Sequence, residues 1–435
     1  MRTVTPMDVS IQDMLSQVLD SSHKALPPAS GPVALGDVGQ RGWRALEGDL
    51  SLPVMLLKES ALANNIEVMA AFCRHNGLDL APHGKTTMAP QLVQRQIQAG
   101  AWGVTAATAP QAALFHRFGV PRVILANQLL DPAGVRWAVS SMGANPPLEL
   151  YCLVDSVSAV EQLDRLVVSA AAPDALPVLL ELGVEGRRAG ARSREEAVAV
   201  VAAVARAQRL VLAGVEAFEG VIGTDRAATT VGEVRDFLLS IRSLMEELIG
   251  AGTFAGRPEA IVSAGGSAFP DLVAEVFGDN WAPSQPTRRV LRSGCYLTHD
   301  HGLYAAVSPF SQSAGHEAGS LIPALEIWGL VLSRPDPDLA IVGFGKRDAP
   351  YDAGLPVPIA IRRSDGALVE PDPGLIVTTL NDQHAMVHVP ERASLEIGDV
   401  IGFGISHPCT AFDKWGLVPV VNDGYRVVAA VRTFF

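Results

Sequence analysis

Four stretches of this 435-residue chain combine residue types that do chemistry. In "APHGKTTMAP", Ala81 to Pro90, Lys85 stands between a glycine and two threonines, directly after a short apolar run. Such a lysine is a surface charge, a phosphate clamp or a nucleophilic amine. The clamp is the weak reading, because a phosphate-binding loop wants GxxxxGK[ST] and Gly84 is the only nearby glycine. At the mouth of a barrel a lysine is partly desolvated, which favours the neutral amine needed for a Schiff base with an aldehyde cofactor. A salt-bridged barrel lysine competes with that reading, and spacing alone leaves both open.

A pyridoxal phosphate site also needs a cradle of backbone N–H groups at a glycine-rich turn that opens a helix. "SAGGSAFPDLVAEVF" offers Gly265, Gly266 and Ser267 before a helix starting near Pro270, although Gly-Gly-Ser turns also occur without a ligand. "RSGCYLTHD" adds Gly294 and Tyr296, whose hydroxyl reads as a phosphate donor or as an ordinary half-buried strand aromatic. In "GISHPCTAFDKW", His407 and Cys409 lie two apart. In an extended segment that spacing puts an imidazole and a thiolate on one face, a pair suited to Zn2+, with coordination positions left open as in a catalytic site. A lone His-x-Cys pair is also a common coincidence. The cysteines, Cys73, Cys152, Cys295 and Cys409, show no CxxC spacing, which argues against a disulfide framework or an all-cysteine zinc knuckle.

Periodicity indicates the elements that must position these residues. From about Leu52 to Ala264, eight short apolar segments ("LPVMLL", "LDLAP", "WGVTAAT", "RVILAN", "LELYCLV", "LPVLLELG", "LAGVEAF", "AIVSAGG") alternate with helical ones, as in a (β/α)8 barrel whose site lies at the C-terminal strand ends. An open doubly wound sheet is the alternative. The first long helix is expected to have Ser60 as N-cap and Gly77 as its stop. After about Arg288, short strands separated by Gly, Pro and Asp turns, beginning with "RRVLRSGCYLTH", predict an antiparallel β domain. The expected division is an N-terminal segment, 1–50, with a helix near Ile11 to Leu19 and packing on the β domain; a cofactor-binding barrel, 51–286; and a β domain, 287–435.

A hydrophobic content of 48 % with 18 % charged residues is that of a globular protein, and a net charge of −12 with interspersed signs disfavours nucleic acid or an anionic membrane as partner. A small-molecule substrate is expected. The opening residues lack a signal peptide's apolar core, and no run reaches the roughly 20 apolar residues of a bilayer span, so a cytoplasmic location is expected.

Taken together, "APHGKTTM", "EGRRAGA", "SAGGSAFPD", "RSGCYLTHD", "GFGKRDAPYDAGLP", "LNDQHA" and "SHPCTAFDKW" resemble the D-serine dehydratase and D-threonine aldolase family of alanine-racemase-like pyridoxal phosphate enzymes, in order over about Leu52 to Asp423. The resemblance implies an α/β barrel followed by a β domain, with Lys85 carrying the cofactor as a Schiff base. It further implies Gly265, Gly266, Ser267, Gly294 and Tyr296 at the phosphate, Arg188 of "RRAG" at the cofactor, His407 and Cys409 as ligands of zinc or another divalent cation, and a homodimer. Cys409 stands where the aldolase branch has an aspartate, which favours the dehydratase branch: β-elimination from a D-β-hydroxy amino acid such as D-serine or D-threonine, giving a 2-oxo acid and ammonia. Cleavage of Cα–Cβ to glycine and an aldehyde is the alternative. Family members tend to show a histidine after the seventh strand, where this chain reads "EAFEGVIG" with Glu219 and Gly220. Lys346 and Asp352 either approach the substrate from the β domain or belong to a charged surface turn.

Overall fold

The computed structural model describes residues 6–311 and 316–435. Among the described residues, nine strands run from Val54 to Leu291: β1 (Val54–Lys58), β2 (Asp79–Leu80), β3 (Val104–Ala106), β4 (Arg122–Gln128), β5 (Glu149–Val154), β6 (Leu176–Leu182), β7 (Leu210–Ala217), β8 (Ala260–Ala264) and β9 (Thr287–Leu291). Among the described residues, β2 to β9 form one parallel sheet in the order β2-β9-β8-β7-β6-β5-β4-β3. A parallel bridge from His83 to Thr105 brings its two edges together, which completes the barrel. Its interior holds Ala81, Ile124, Ala126, Tyr151, Leu153, Leu179, Ala213, Ile261 and Val290, a cluster separate from the main core. These alternate along their strands with residues that face the surrounding helices, as the two-residue strand period requires.

The (β/α)8 barrel with a following antiparallel β domain is the architecture found, but two strands change places. The segment "LPVMLL" supplies β1, which lies outside the barrel; "RRVL", expected to open the β domain, supplies the eighth barrel strand, β9. A strand buried on both faces reads the same in a parallel barrel and in the middle of a mixed sheet, so β1 carries no mark of its destination. In β9 the two arginines imitate an exposed strand. Arg288 instead pairs with Asp79 at 2.6 Å and Glu259 at 2.7 Å, and the Arg289 guanidinium donates to the Gly278 and Trp281 carbonyls.

The β domain contains β10 (Leu325–Asp336), β11 (Leu339–Val342), β12 (Val357–Arg362), β13 (Ile376–Leu380), β14 (Ala385–His388), β15 (Val400–Gly404), β16 (Leu417–Val421) and β17 (Val427–Arg432). Strand β1 pairs antiparallel with β10, with Leu57 opposite Leu325, and parallel with β16, with Leu57 opposite Val420. The long helix after β1, Glu59–His75, therefore starts directly from the β domain. Its N-cap is Lys58, and the Ser60 hydroxyl donates to Asp423 at 2.6 Å instead of capping, while Gly77 lies just past its end as expected. The first helix spans Pro6–Leu15 and stops short of Leu19, which belongs to a two-strand pairing with Val33–Ala34. Lys24 ties the N-terminal residues to the β domain through an ion pair with buried Asp348 at 2.6 Å and a position 3.9 Å above the Trp415 ring. The N–H of Val427 donates to Trp43, and that of Ala45 to Tyr425.

Candidate active site

The C-terminal ends of the barrel strands and one loop of the β domain enclose a cavity of about 210 Å³. The turn after β2 contributes His83, Lys85 and Thr86; the segments after β6 and β7 contribute Arg188 and Phe218; the turn after β8 contributes Gly266 and Ser267; and the segment after β9 contributes Arg292, Gly294 and Cys295. Tyr304 comes from the short helix Leu303–Val307, and His407 and Cys409 come from the segment after β15. Sites separated by more than 300 residues in sequence thus share one wall.

Among the described residues no carboxylate lies within ion-pair distance of Lys85, so the salt-bridged alternative is not what the structure shows. The strand ends beneath it form a polar layer. Arg292 pairs with Glu216 at 2.9 Å, both excluded from solvent, and donates to the Ser263 hydroxyl and the Ala217 carbonyl. Glu181 accepts from Gln128 at 2.5 Å; burial, and then the charge of Glu216, push its carboxyl up to about 7. His83 is held neutral, well below the usual imidazole range, by burial and by the positive charges of Lys85, Arg292 and Arg188, and its buried Nδ1 has no hydrogen-bond partner.

Seven of the expected site residues, Lys85, Arg188, Gly266, Ser267, Gly294, His407 and Cys409, line the cavity. The N–H groups of Gly265 and Gly266 do make an anion-binding turn, but the anion is the chain's own: they donate at 3.0 and 2.8 Å to the carboxylate of buried Glu219. Burial raises the Glu219 carboxyl against the opposing effect of those two bonds. Tyr296 lies elsewhere. Its hydroxyl accepts from Gln96 at 2.8 Å, beneath the helix Pro90–Gln98, because the 3-10 turn Cys295–Leu297 rotates it away from the cavity, and Tyr304 stands there instead. Lys346 is exposed over the Tyr351 ring and does not reach the site. His83, Arg292, Cys295 and Tyr304 escaped the sequence reading, although Cys295 and Arg292 flank Gly294 inside a stretch already singled out.

The cavity wall fits pyridoxal phosphate. It presents an amine without an ion-pair partner, a guanidinium at Arg188 5.3 Å from the Phe218 ring, and the backbone of Gly294, which packs closely on His83. A Cβ on Gly294 would come within 2.7 Å of the His83 Cβ and 2.8 Å of its carbonyl oxygen. With the Gly265 and Gly266 donors committed to Glu219, the groups left for a phosphate are those of Ser267, Gly294 and Arg188. Ser267 is held in place by the Cys295 N–H, which donates to its hydroxyl at 3.1 Å.

The second feature is the His407 and Cys409 pair. His407 has left-handed backbone geometry, φ 71°, which for a residue with a side chain costs on the order of 1–3 kcal/mol and is held here by neighbours. Its N–H donates to Asp300, whose other oxygen accepts from Gly302, Tyr304 and Ala305. Its Nδ1 lies 2.5 Å from Asp352, so Nε2 is the ring atom left for other work. The hydrogen bond to Cys409 raises the imidazole to about 9, and a hydrogen bond from Cys295 with the pairing to His407 holds the Cys409 thiol well below its usual range. An imidazole oriented by a carboxylate next to a thiolate is a donor set that fits a divalent transition metal. Among the described residues no group of three or more His, Cys, Asp or Glu is spaced to hold an ion.

A family model described as alanine racemase, N-terminal domain, matches residues 57–268, and one described as putative serine dehydratase domain matches residues 324–421. The chain is 25 % identical over 402 residues to a D-threonine aldolase of an Arthrobacter species, covering 92 % of this chain and 94 % of that protein. It is 25 % identical over 322 residues to a 3-hydroxy-D-aspartate aldolase of Paracoccus denitrificans, covering 71 % and 76 %. Its fold matches the crystal structure of D-threonine aldolase from Filomicrobium marinum with a TM-score of 0.73 at 22 % identity, over 88 % of this chain and 95 % of that one. The match to D-threo-3-hydroxyaspartate dehydratase from Delftia sp. HT23 has a TM-score of 0.69 at 19 % identity, over 88 % and 98 %. This chain therefore belongs among the proteins that join an alanine racemase N-terminal domain to a putative serine dehydratase domain.

Proposed function

We propose that this protein is a pyridoxal phosphate-dependent lyase of small D-β-hydroxy amino acids, and that with zinc at His407 and Cys409 it eliminates the β-hydroxyl to give a 2-oxo acid and ammonia. The observation that carries this reading is that His407 and Cys409 line the same cavity as Lys85. Lys85 would hold the cofactor, with Arg188, Ser267 and Gly294 around it; the cofactor supplies an electron sink that acidifies the substrate Cα–H. A divalent cation on His407 Nε2 and Cys409 Sγ would supply Lewis acidity to a hydroxyl. The Lys85 amine would then take the Cα proton. Asp352 fixes the His407 tautomer, and Phe218 and Ala126 are apolar members of the cavity lining.

Support for elimination over Cα–Cβ cleavage comes from Cys409 as the second donor and from Glu219. The neighbourhood where family members tend to show a histidine holds instead Glu219, whose carboxylate accepts from two backbone N–H groups. The aldolase reading draws on the D-threonine aldolase and 3-hydroxy-D-aspartate aldolase among the relatives. D-Threonine separates them: 2-oxobutanoate with ammonia is expected, and glycine with acetaldehyde would overturn the dehydratase reading. Lys85→Ala should lose both the cofactor's visible absorbance and turnover, and turnover in that variant would remove Lys85 from its role. Zinc analysis with and without chelator tests the metal, and light scattering tests the expected homodimer.

A further inference from the structure

We propose that Cys295 and Cys409 form a peroxide-oxidisable dithiol that closes as a disulfide across the active-site cavity. Their sulfurs lie 3.4 Å apart, already in van der Waals contact, and closing to the ~2.05 Å of a disulfide asks for about 1.4 Å of approach. Both line the cavity, so a small oxidant that enters it meets both. Cys409 is the half-buried and reachable member; Cys295 lies behind it at 5 % exposure. The Thr86 hydroxyl sits 3.2 Å from Cys409 and 3.9 Å from Cys295, filling the space beside the pair with a group that does not compete for oxidant. The other two cysteines are built-in controls, since burial pushes the Cys73 and Cys152 thiols up to about 12 and neither faces the cavity.

The chemistry balances with hydrogen peroxide as the oxidant. The Cys409 sulfur attacks one peroxide oxygen, the O–O bond breaks, hydroxide leaves and takes a proton, and Cys409 becomes a sulfenic acid. The Cys295 sulfur then attacks the Cys409 sulfur, and the departing oxygen takes the Cys295 proton and leaves as water. In sum two thiols and one peroxide give one disulfide and two waters. The link would staple the turn after β9 to the loop after β15, positions 114 residues apart, and so fix the barrel against the β domain directly over the Lys85 cavity. It would also remove Cys409 from metal binding, a consequence that rests on the function proposed above; the dithiol itself does not.

The test treats reduced, chelator-stripped full-length protein with a small excess of hydrogen peroxide. The expected result is loss of two titratable thiols, an intact mass lower by two hydrogens, a peptide map that joins Cys295 to Cys409, and recovery with dithiothreitol. Under the same treatment Cys295→Ser should form no link and should accumulate added oxygen on Cys409. Oxygen added to Cys409 in the native chain without a link, a link to Cys73 or Cys152, or no loss of thiols would each overturn the proposal. Zinc uptake by the oxidised protein separates the two readings: it should be lost with the link and return with dithiothreitol. Zinc uptake that persists with the link formed would remove Cys409 from the metal site while leaving the dithiol established.

Discussion

His407 can serve as a metal ligand because its other nitrogen is already engaged. Asp352, from a turn that reads equally well as solvent-exposed, holds Nδ1 and also accepts from Thr410 at 2.7 Å, so one carboxylate sets both the ring and the loop that carries Cys409. Asp352→Asn should therefore weaken zinc binding roughly 10–100-fold, read by competition with a chromophoric chelator, while Lys85 chemistry is spared. Unchanged affinity would mean that Asp352 does not support His407 as a ligand. Deeper in the barrel, Glu181 is protonated more readily in the folded than in the unfolded chain, about 7 against 4.5, because of burial and Glu216. Between those values the folded state binds more protons, so the native chain loses stability as pH rises from about 4.5 to about 7 and changes no further above it on this account. Glu181→Gln keeps the contact with Gln128 and has no such loss. The stability gap in favour of the variant, measured by urea unfolding, should widen across that window by roughly 3 kcal/mol; a gap that stays constant with pH would show that Glu181 is not the titrating group.

At the scale of elements, the site exists because strand ends and turns are held at close approach. Gly214 in β7 is the sharpest case: a Cβ there would meet the Ile261 carbonyl oxygen of β8 at 1.8 Å, backbone against backbone. Gly214→Ala must spread two paired barrel strands, and a loss of about 3 kcal/mol is expected in unfolding experiments, with the Lys85 cavity distorted because Glu216 lies two residues on. A variant of native stability would show that the β7–β8 contact is looser than the structure has it. The glycine-rich turn after β8 was legible as an anion site from its residue types, since a Gly-Gly-Ser before a helix exposes N–H groups. That the anion is Glu219 was not, because a carboxylate 46 residues earlier in the chain, at the end of β7, reaches the turn only when the strands pair. Tyr296 shows the same limit in reverse: its distance from Gly294 is fixed by sequence, but a single 3-10 turn decides that its ring faces the helix side.

The whole molecule is less divisible than its texture suggests. The barrel's eighth strand comes from the segment that reads as the start of the β domain, and the β sheet takes its central strand β1 from the segment that reads as the start of the barrel. A fragment of residues 51–286 lacks β9, so β2 and β8 lose their shared neighbour and the barrel opens along two unpaired edges. It should aggregate on expression while the full chain stays soluble; a soluble, cooperatively unfolding fragment would contradict this account. The sequence alone determined the alternation of strands and helices, hence the barrel and its following β domain. It also determined residue types that meet at one cavity, Lys85, Gly266, Gly294 and the His407 and Cys409 pair, because hydrophobic period and side-chain chemistry are local properties. Tertiary structure alone decided which strands close the barrel, that Asp352 orients His407, that Glu219 fills the glycine turn, and that Cys295 meets Cys409, because each depends on contacts between segments tens to hundreds of residues apart.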